Sequence, residues 1–150
     1  MRIREGGETC SCSRQGCLEA YVGTAGILRR LERKLASDTP SSLRNPDTGS
    51  ITPKQISLAA KEGDTLAADV LAETGYWLGI GLSAAANLLN LERAVIGGGI
   101  AGAGDLILDP ARDSFSRQAL SVSAESMTIV PAALGNSAGL IGAATLAMKG

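Results

Sequence analysis

The order of strand and helix patterns along this sequence predicts an α/β domain. Two short apolar runs, residues 93–96 and 127–130, are typical of buried strands, and each is followed by glycine or proline and then by a helical pattern. Hydrophobic residues make up 45% of the 150 residues, which is sufficient for the packed core of one domain. The 19 glycines favour close approach of helices and strands.

The N-terminal part combines a polar loop with a helix. Residues 2–5 are interpreted as the end of a strand, and residues 8–17 as a cysteine-rich loop. Over residues 18–35, apolar side chains recur at steps of three and four, which predicts one amphipathic helix. Gly23 and Gly26 weaken that helix locally, by roughly 1 kcal/mol each relative to alanine.

A basic run lies on one face of this predicted helix and consists of Arg29, Arg30, Arg33 and Lys34. We interpret it as a solvated helix face, because charge runs at helical spacing usually face water. Residues 37–50 follow and are rich in Ser, Thr, Asp, Asn, Pro and Gly, which predicts a surface loop.

Capping signals mark the next two helices. Thr52 can cap a helix that has Pro53 at its first position, and Gln55 completes a capping box. Gly63 is expected to end that helix, and Asp64 to cap the following one.

The helix capped by Asp64 and two further helices are predicted towards the C-terminus. A long helix runs to about residue 89, and three glycines on it indicate close packing against a neighbour: Gly75, Gly79 and Gly81. Asp109 and Pro110 are interpreted as the cap and first turn of a helix that runs to about residue 120. A final helix of small residues is expected at 138–148.

Charge and hydropathy exclude several classes of protein. Lys and Arg total 14 against 15 Asp and Glu, so a net charge of -1 gives no general attraction to nucleic acid or anionic membranes. The longest apolar stretch, residues 76–91, is about 16 residues long and is interrupted by glycine and asparagine, whereas a bilayer span needs roughly 20. Residues 1–7 are charged and do not look like a secretory signal. We expect a cytoplasmic protein with reduced thiols.

The three cysteines lie within eight residues, at Cys10, Cys12 and Cys17. Three thiolates on one tight loop are well placed for tetrahedral Zn²⁺, and Gly16 gives the loop freedom to wrap round an ion. The chain contains no histidine, so a fourth position would be left for a carboxylate, a water or a ligand from elsewhere. The alternatives are three free thiols, or a disulfide with one spare thiol.

The string CSCSRQGCLEAY, at residues 10–21, resembles the signature of the ROK family of bacterial sugar kinases and sugar-responsive repressors. Three later strings agree with that family in order and spacing: AKEGD, NLLNLERAVIGGGIAGAGDLI and PAALGNSAGLIGAATLA. The resemblance implies an actin-like, ribonuclease-H-like ATPase fold of two α/β lobes. Residues 1–150 would then be a single partial domain, most of the C-terminal lobe, whose final helix would cross back to the N-terminal lobe.

The resemblance also implies roles for individual residues. The three cysteines match the family's zinc thiolates, whose fourth ligand is a histidine further upstream. Ser13 stands where the family usually has glycine, which a serine can replace only if φ there is not positive. Glu19 matches a glutamate that hydrogen-bonds sugar hydroxyls; from the residues alone, a glutamate favoured by the helix dipole is the preferred interpretation, and the two roles are compatible.

The glycine run Gly97, Gly98 and Gly99 matches the run beside the bound nucleotide; from the residues alone it is equally a tight turn between strand and helix. Phosphoryl transfer also needs a phosphate loop and a base, and the family's Asp-x-Gly-x-Thr loop and catalytic aspartate do not occur here. We therefore assign no catalytic residue and expect no kinase activity from this chain alone.

Three functional hypotheses follow from the resemblance. The first is a fragment of an ATP-dependent hexose kinase, glucokinase-like or acting on an N-acetylated sugar, with ATP and Mg²⁺ bound in the full-length parent. The second is the sugar-sensing body of a repressor, in which case DNA is a partner. The third is a non-functional remnant. The family resemblance also implies a homo-oligomer, a dimer or a tetramer, and nothing indicates a membrane.

Overall fold

The computed structural model describes residues 1–44 and 51–149, apart from the side chains of residues 100, 101, 136 and 149. The fold is helical with a small parallel sheet. The helices are α1 (Glu19–Val22), α2 (Thr24–Leu35), α3 (Pro53–Lys61), α4 (Thr65–Leu89), α5 (Asp105–Gln118), α6 (Ser121–Ser126) and α7 (Ala138–Lys149). The strands are β1 (Arg93–Ile96) and β2 (Thr128–Pro131), and short 3-10 turns occur at Ser42–Arg44, Gly99–Ala103 and Gly135–Ser137.

The long helix α4 is the centre of the fold, and α1, α2, α3 and α5 all pack against it. Its glycines bring it into backbone contact with α5, as the sequence predicted. A Cβ atom at Gly75 would lie 2.3 Å from the carbonyl oxygen of Ile107, and one at Gly79 would lie 2.4 Å from that of Ala111. These two positions therefore require glycine, because any side chain would push the helices apart.

The two strands form a parallel pair in which Arg93 lies opposite Thr128 and Ile96 opposite Pro131. The connection between them runs through α5 and α6, which makes a β-α-β unit of the kind that the α/β prediction requires. Arg112 on α5 stabilises this unit by donating to the carbonyl oxygen of Ile129 at 3.3 and 3.2 Å. The sheet thereby fixes where β1 ends and the glycine run begins.

Local capping signals were predicted correctly. The Thr52 hydroxyl accepts the N–H of Gln55, and the Gln55 side chain accepts the N–H of Thr52 at 2.8 Å. Gly63 has a φ of +97° directly after α3, where the left-handed region favours glycine. The Asp64 carboxylate accepts the N–H of Ala67 at 2.9 Å and so caps α4.

The interpretation of Asp109 and Pro110 as a helix start is wrong, because α5 begins four residues earlier at Asp105 and contains Pro110 in its interior. A proline there removes one helical hydrogen bond. The helix continues because Ile107 and Leu108 are buried close to this point, and because Gly75 leaves room for the proline ring. Tertiary packing thus outweighs the local signal.

The single helix predicted for residues 18–35 is also wrong. The chain breaks at Gly23, whose ψ of 161° is extended, so that α1 and α2 are separate helices. A Cβ atom at Gly26 would lie 2.3 Å from the carbonyl oxygen of Ala20, which shows how closely α2 packs on α1. Both glycines serve this corner rather than merely weakening one helix.

Two of the remaining expectations concern residues that precede α3. Residues 2–5 form no strand; Arg2 makes an isolated bridge with Cys17. In the predicted loop 37–50, Leu43 is buried, and residues 45–50 lie outside the described residues.

Helix α7 exposes large apolar side chains, at Leu140, Leu146 and Met148 among others. In the described parts of the chain, every helix is too short or too polar to cross a membrane.

Candidate functional site

The cysteine loop is a small hairpin that brings three thiols together. Its hydrogen bonds join the N–H of Cys10 to the carbonyl of Arg14 at 2.8 Å and the N–H of Gly16 to the carbonyl of Glu8 at 2.8 Å. The Sγ atoms of Cys10, Cys12 and Cys17 all lie within 4.8 Å of one another, and this cluster is composed of thiols alone. Such a separation suits three ligands of one tetrahedral ion.

Two positions in the loop have positive φ. Gly16 has a φ of +75°, and a Cβ there would lie 1.6 Å from the carbonyl oxygen of Arg4, so only glycine fits. Ser13 has a φ of 65° without being glycine. The condition stated from the sequence, that serine suits this position only without positive φ, is therefore not met. The loop closes nevertheless, at a cost of roughly 1–2 kcal/mol for one left-handed residue.

Hydrogen bonds within the loop separate the acidities of the thiols. The backbone N–H of Cys12 lowers the pKa of the Cys10 thiol to about 7, so that its thiolate forms readily near neutral pH. The pKa of Cys17 is raised, chiefly by its contact with the Cys12 thiol, whose sulfur lies 3.6 Å away. A thiolate beside two further thiols is a donor set that favours a soft divalent cation.

Glu19 begins α1 immediately after the hairpin, and its side chain is exposed. The carboxylate folds over Gly23, since a Cβ there would lie 2.1 Å from Glu19 Oε1. Tyr21 on the same helix is buried against Trp77 of α4, with ring centroids 4.3 Å apart, and its hydroxyl accepts the N–H of Glu8 at 3.0 Å. The helix that carries Glu19 is thus tied to both the cysteine hairpin and the core.

The basic run on α2 forms ion pairs that connect α2 to Glu8 of the cysteine loop and to α4. The sequence analysis did not predict these ion pairs. The solvated-face interpretation holds for Arg33, whose side chain is 59% exposed, and is wrong for Arg30, which is buried and paired with Glu73. Arg29 pairs with Glu8 at 3.0 Å, and Lys34 pairs with Glu73 at 3.6 Å. The spacing of Asp69 and Glu73, one turn apart on the predicted long helix, was the signal that could have found it.

The glycine run lies where β1 ends, as predicted. Gly98 has a φ of +79°, and a Cβ at Gly98 or Gly99 would have no described atom within 4 Å. The backbone is therefore open to an approaching group. An adjacent cavity of about 570 Å³ separates this loop from the start of α3; its lining includes Thr52, Pro53, Lys54, Ser57, Leu58 and Lys61. Sequence reasoning missed these α3 residues.

The two candidate sites meet at the start of α2. Thr24 lines the cavity together with Gly99 and Gly102, and its neighbour Gly23 lies against the Glu19 carboxylate. The fold therefore places the exposed carboxylate and the open glycine backbone around one corner of the chain. An acceptor for hydroxyl groups beside a backbone that can approach phosphate is an arrangement suited to two adjoining ligands.

The chain is similar in sequence and in fold to several known proteins. The chain is 37% identical to the glucokinase of Halalkalibacterium halodurans over 93% of its own length and 43% of that protein. It is 32% identical to the transcriptional regulator NagC of Escherichia coli over 87% of its length and 31% of that protein. Its fold matches the crystal structure of a ROK glucokinase from Streptomyces griseus, solved with glucose and AMPPNP, with a TM-score of 0.82 and 34% identity over 100% of the chain and 50% of that structure.

These matches span about half the length of the glucokinases and a third of the regulator. They confirm the predicted fold class, part of an actin-like ATPase lobe. The sequence profile of the ROK family matches residues 1–150. Because that match extends over every residue, the chain belongs to the ROK family.

Proposed function

We propose that this chain is the part of an ATP-dependent hexose kinase that binds sugar and nucleotide, and that it does not catalyse phosphoryl transfer by itself. The substrate would be glucose or an N-acetylated sugar. The observation that carries the proposal is that the Glu19 carboxylate lies against Gly23, while the next residue, Thr24, lines the cavity together with Gly99. The glucokinase relatives supply the reaction class.

Glu19 is proposed to bind sugar hydroxyls. An exposed carboxylate accepts two hydroxyl hydrogen bonds, and its position directly after the hairpin makes its direction depend on that loop. The contact with Gly23 leaves no space for a side chain there, so the carboxylate has a defined resting place. Dipole stabilisation of α1 remains compatible with this role.

The glycine run is proposed to lie against the nucleotide. Open backbone N–H groups at Gly98 and Gly99 can donate to phosphate or ribose, and the apolar part of the cavity can accept a flat ring. Lys54 and Lys61 at its edge provide positive charge near a polyphosphate. Mg²⁺ would bind together with ATP, and residues of the other lobe would complete its coordination.

The three cysteines are proposed to hold a structural Zn²⁺. Their mutual distances and the low pKa of Cys10 fit thiolate ligation, and a histidine or other ligand from elsewhere in the parent would complete the site. When bound, the ion supplies a rigid cross-link that fixes the hairpin. The role of the cysteines is to orient the start of α1 rather than to act on the sugar.

A repressor body is the second candidate, and a specific observation favours it. NagC matches 87% of the chain at 32% identity, and a ROK transcriptional regulator homologous to the E. coli Mlc protein matches the fold with a TM-score of 0.78. In that case the sugar role of Glu19 stays the same, while the nucleotide role of the glycine run is absent and DNA is bound by another part of the parent. The kinase is preferred because the glucokinase identity is higher.

The decisive experiment is calorimetric titration of the zinc-loaded chain with glucose and, separately, with AMPPNP. Glu19→Gln is expected to weaken glucose binding at least tenfold without affecting AMPPNP, since the amide loses the charge that strengthens hydroxyl bonds. Gly99→Val is expected to weaken AMPPNP alone. Matched controls are Glu32→Gln, an exposed glutamate on α2, and Gly139→Val, another glycine with open surroundings. Glucose binding without AMPPNP binding would favour the repressor, and absence of both would refute the proposal.

A further inference from the structure

Helix α1 is too short to satisfy its own carbonyl groups. It has four residues, and the chain turns away at Gly23, so the carbonyls of Ala20 and Tyr21 lack the helical N–H partners that a longer helix would provide. Its internal bonds are the N–H of Val22 to the carbonyl of Leu18 at 3.0 Å and the N–H of Gly23 to that of Glu19 at 2.9 Å. Two bonds of this kind give a four-residue helix little intrinsic stability.

Two arginines of α2 bind those carbonyl groups. Arg29 donates from Nη2 to the carbonyl oxygen of Ala20 at 2.7 Å, and Arg30 donates from Nη2 to that of Tyr21 at 3.0 Å. Cationic donors at the C-terminal end of a helix are favourable both as hydrogen bonds and through the helix dipole. The arginines therefore replace the missing turn of α1.

Each arginine also reaches a second element. Arg30 donates to Thr74 Oγ1 at 2.7 Å and pairs with Glu73 at 3.0 Å, which anchors it to α4. Arg29 pairs through Nε with Glu8 at 3.0 Å, at the start of the cysteine hairpin. Arg29 is thus shared between the cysteine hairpin and α1.

We propose that Arg29 and Arg30 are positioning residues that hold α1 in register with the cysteine hairpin and α4. The planar guanidinium fork is what allows Arg29 to span a carboxylate and a carbonyl at once. We expect this register to orient the Glu19 carboxylate towards a bound sugar, and that further step rests on the proposed function. The register itself does not.

Amide hydrogen exchange of the zinc-loaded chain tests the register without any sugar. Arg29→Lys keeps a positive charge near Glu8 but cannot span Glu8 and the Ala20 carbonyl together. Exchange at the α1 amides of Val22 and Gly23 is expected to become about tenfold faster, the loss of one charge-assisted bond. Arg33→Lys is the matched control, because Arg33 contacts Glu8 and makes no bond to α1 in the described structure. Its α1 amides should exchange as in the wild type.

A merely structural role gives a different pattern, since general destabilisation accelerates the buried centre of α4 together with α1. Equal acceleration in both helices, or equal behaviour of Arg29→Lys and Arg33→Lys, would overturn the proposal. Glucose titration of the same variants forms a separate arm. Faster exchange in α1 combined with unchanged glucose affinity would retain the positioning role and refute its link to sugar, whereas Glu19→Gln alone reports on the proposed function.

Discussion

Replacing Ser13 by glycine should stabilise the protein, although the substitution removes a side chain from the cysteine hairpin. Ser13 has a φ of 65°, in the left-handed region where a side chain costs roughly 1–2 kcal/mol. Glycine removes that strain and adds about 0.5–1 kcal/mol of backbone entropy to the unfolded chain. The expected net gain is about 0.5–1 kcal/mol.

Ser11→Gly is the matched control in the same loop. Ser11 is not among the residues with positive φ, so glycine there relieves no strain and only increases the entropy of the unfolded chain. It should destabilise by about 0.5–1 kcal/mol. The Ser11 hydroxyl lies 3.9 Å from the Cys10 sulfur, a contact that contributes little.

Urea and thermal unfolding of the three proteins would measure these differences, with zinc and again with a chelator. For a chain of this size 1 kcal/mol corresponds to a shift in Tm of about 2–4 °C, so Ser13→Gly should unfold a few degrees higher and Ser11→Gly a few degrees lower. If Ser13→Gly unfolds at or below the temperature of Ser11→Gly, the left-handed conformation of Ser13 is not the one adopted in solution.

Two further predictions concern the core and the thiols. Gly79→Ala should lower the free energy of unfolding in urea by about 1–3 kcal/mol, because the new Cβ would lie 2.4 Å from the Ala111 carbonyl oxygen. The control Gly142→Ala, on exposed α7, should be neutral or slightly stabilising. Equal effects of the two substitutions would contradict the close packing of α4 and α5. The pKa of Cys10 is about 7 in the folded protein, against an ordinary value of 9.0. Between these pH values the unfolded chain binds more protons than the folded protein does. The zinc-free protein should therefore become more stable as the pH rises from 7 to 9. Cys10→Ser should lose that slope in urea titrations at several pH values.

Features determined by neighbouring residues could be predicted from the sequence. The Thr52 capping box, the Asp64 cap and the bounds of β1 each depend on side chains a few residues apart, and all were predicted correctly. The close packing of α4 could also be predicted from its glycines. Each glycine lowers the intrinsic stability of a long helix, and close packing against a neighbour offsets that loss.

Features determined by distant contacts could not be predicted. Pro110 is tolerated because Gly75 of another helix makes room for it. Arg30 becomes buried only because Thr74 and Glu73, more than 40 residues away along the chain, receive its donors. No local pattern in the sequence specifies these partners.

The candidate site divides in the same way. The cysteine spacing and the glycine run carry their own chemistry, so both were found from the sequence, and Glu19 was found through family resemblance. The cavity was missed because Lys54 and Lys61 come to line it with Gly99 and Gly102 only after α3 packs against the turn at Gly99–Ala103. A single lysine on a helix gives no sequence signal for such a role.

We propose that the three thiolates hold a zinc ion and that their loop orients the helix bearing Glu19. The most direct measurement is the zinc content of the purified chain, together with thermal unfolding before and after chelation. We expect about one zinc per chain and a loss of cooperative unfolding when the metal is removed, because metal binding and folding are coupled. A zinc-free chain with three freely reactive thiols and unchanged cooperative unfolding would contradict it.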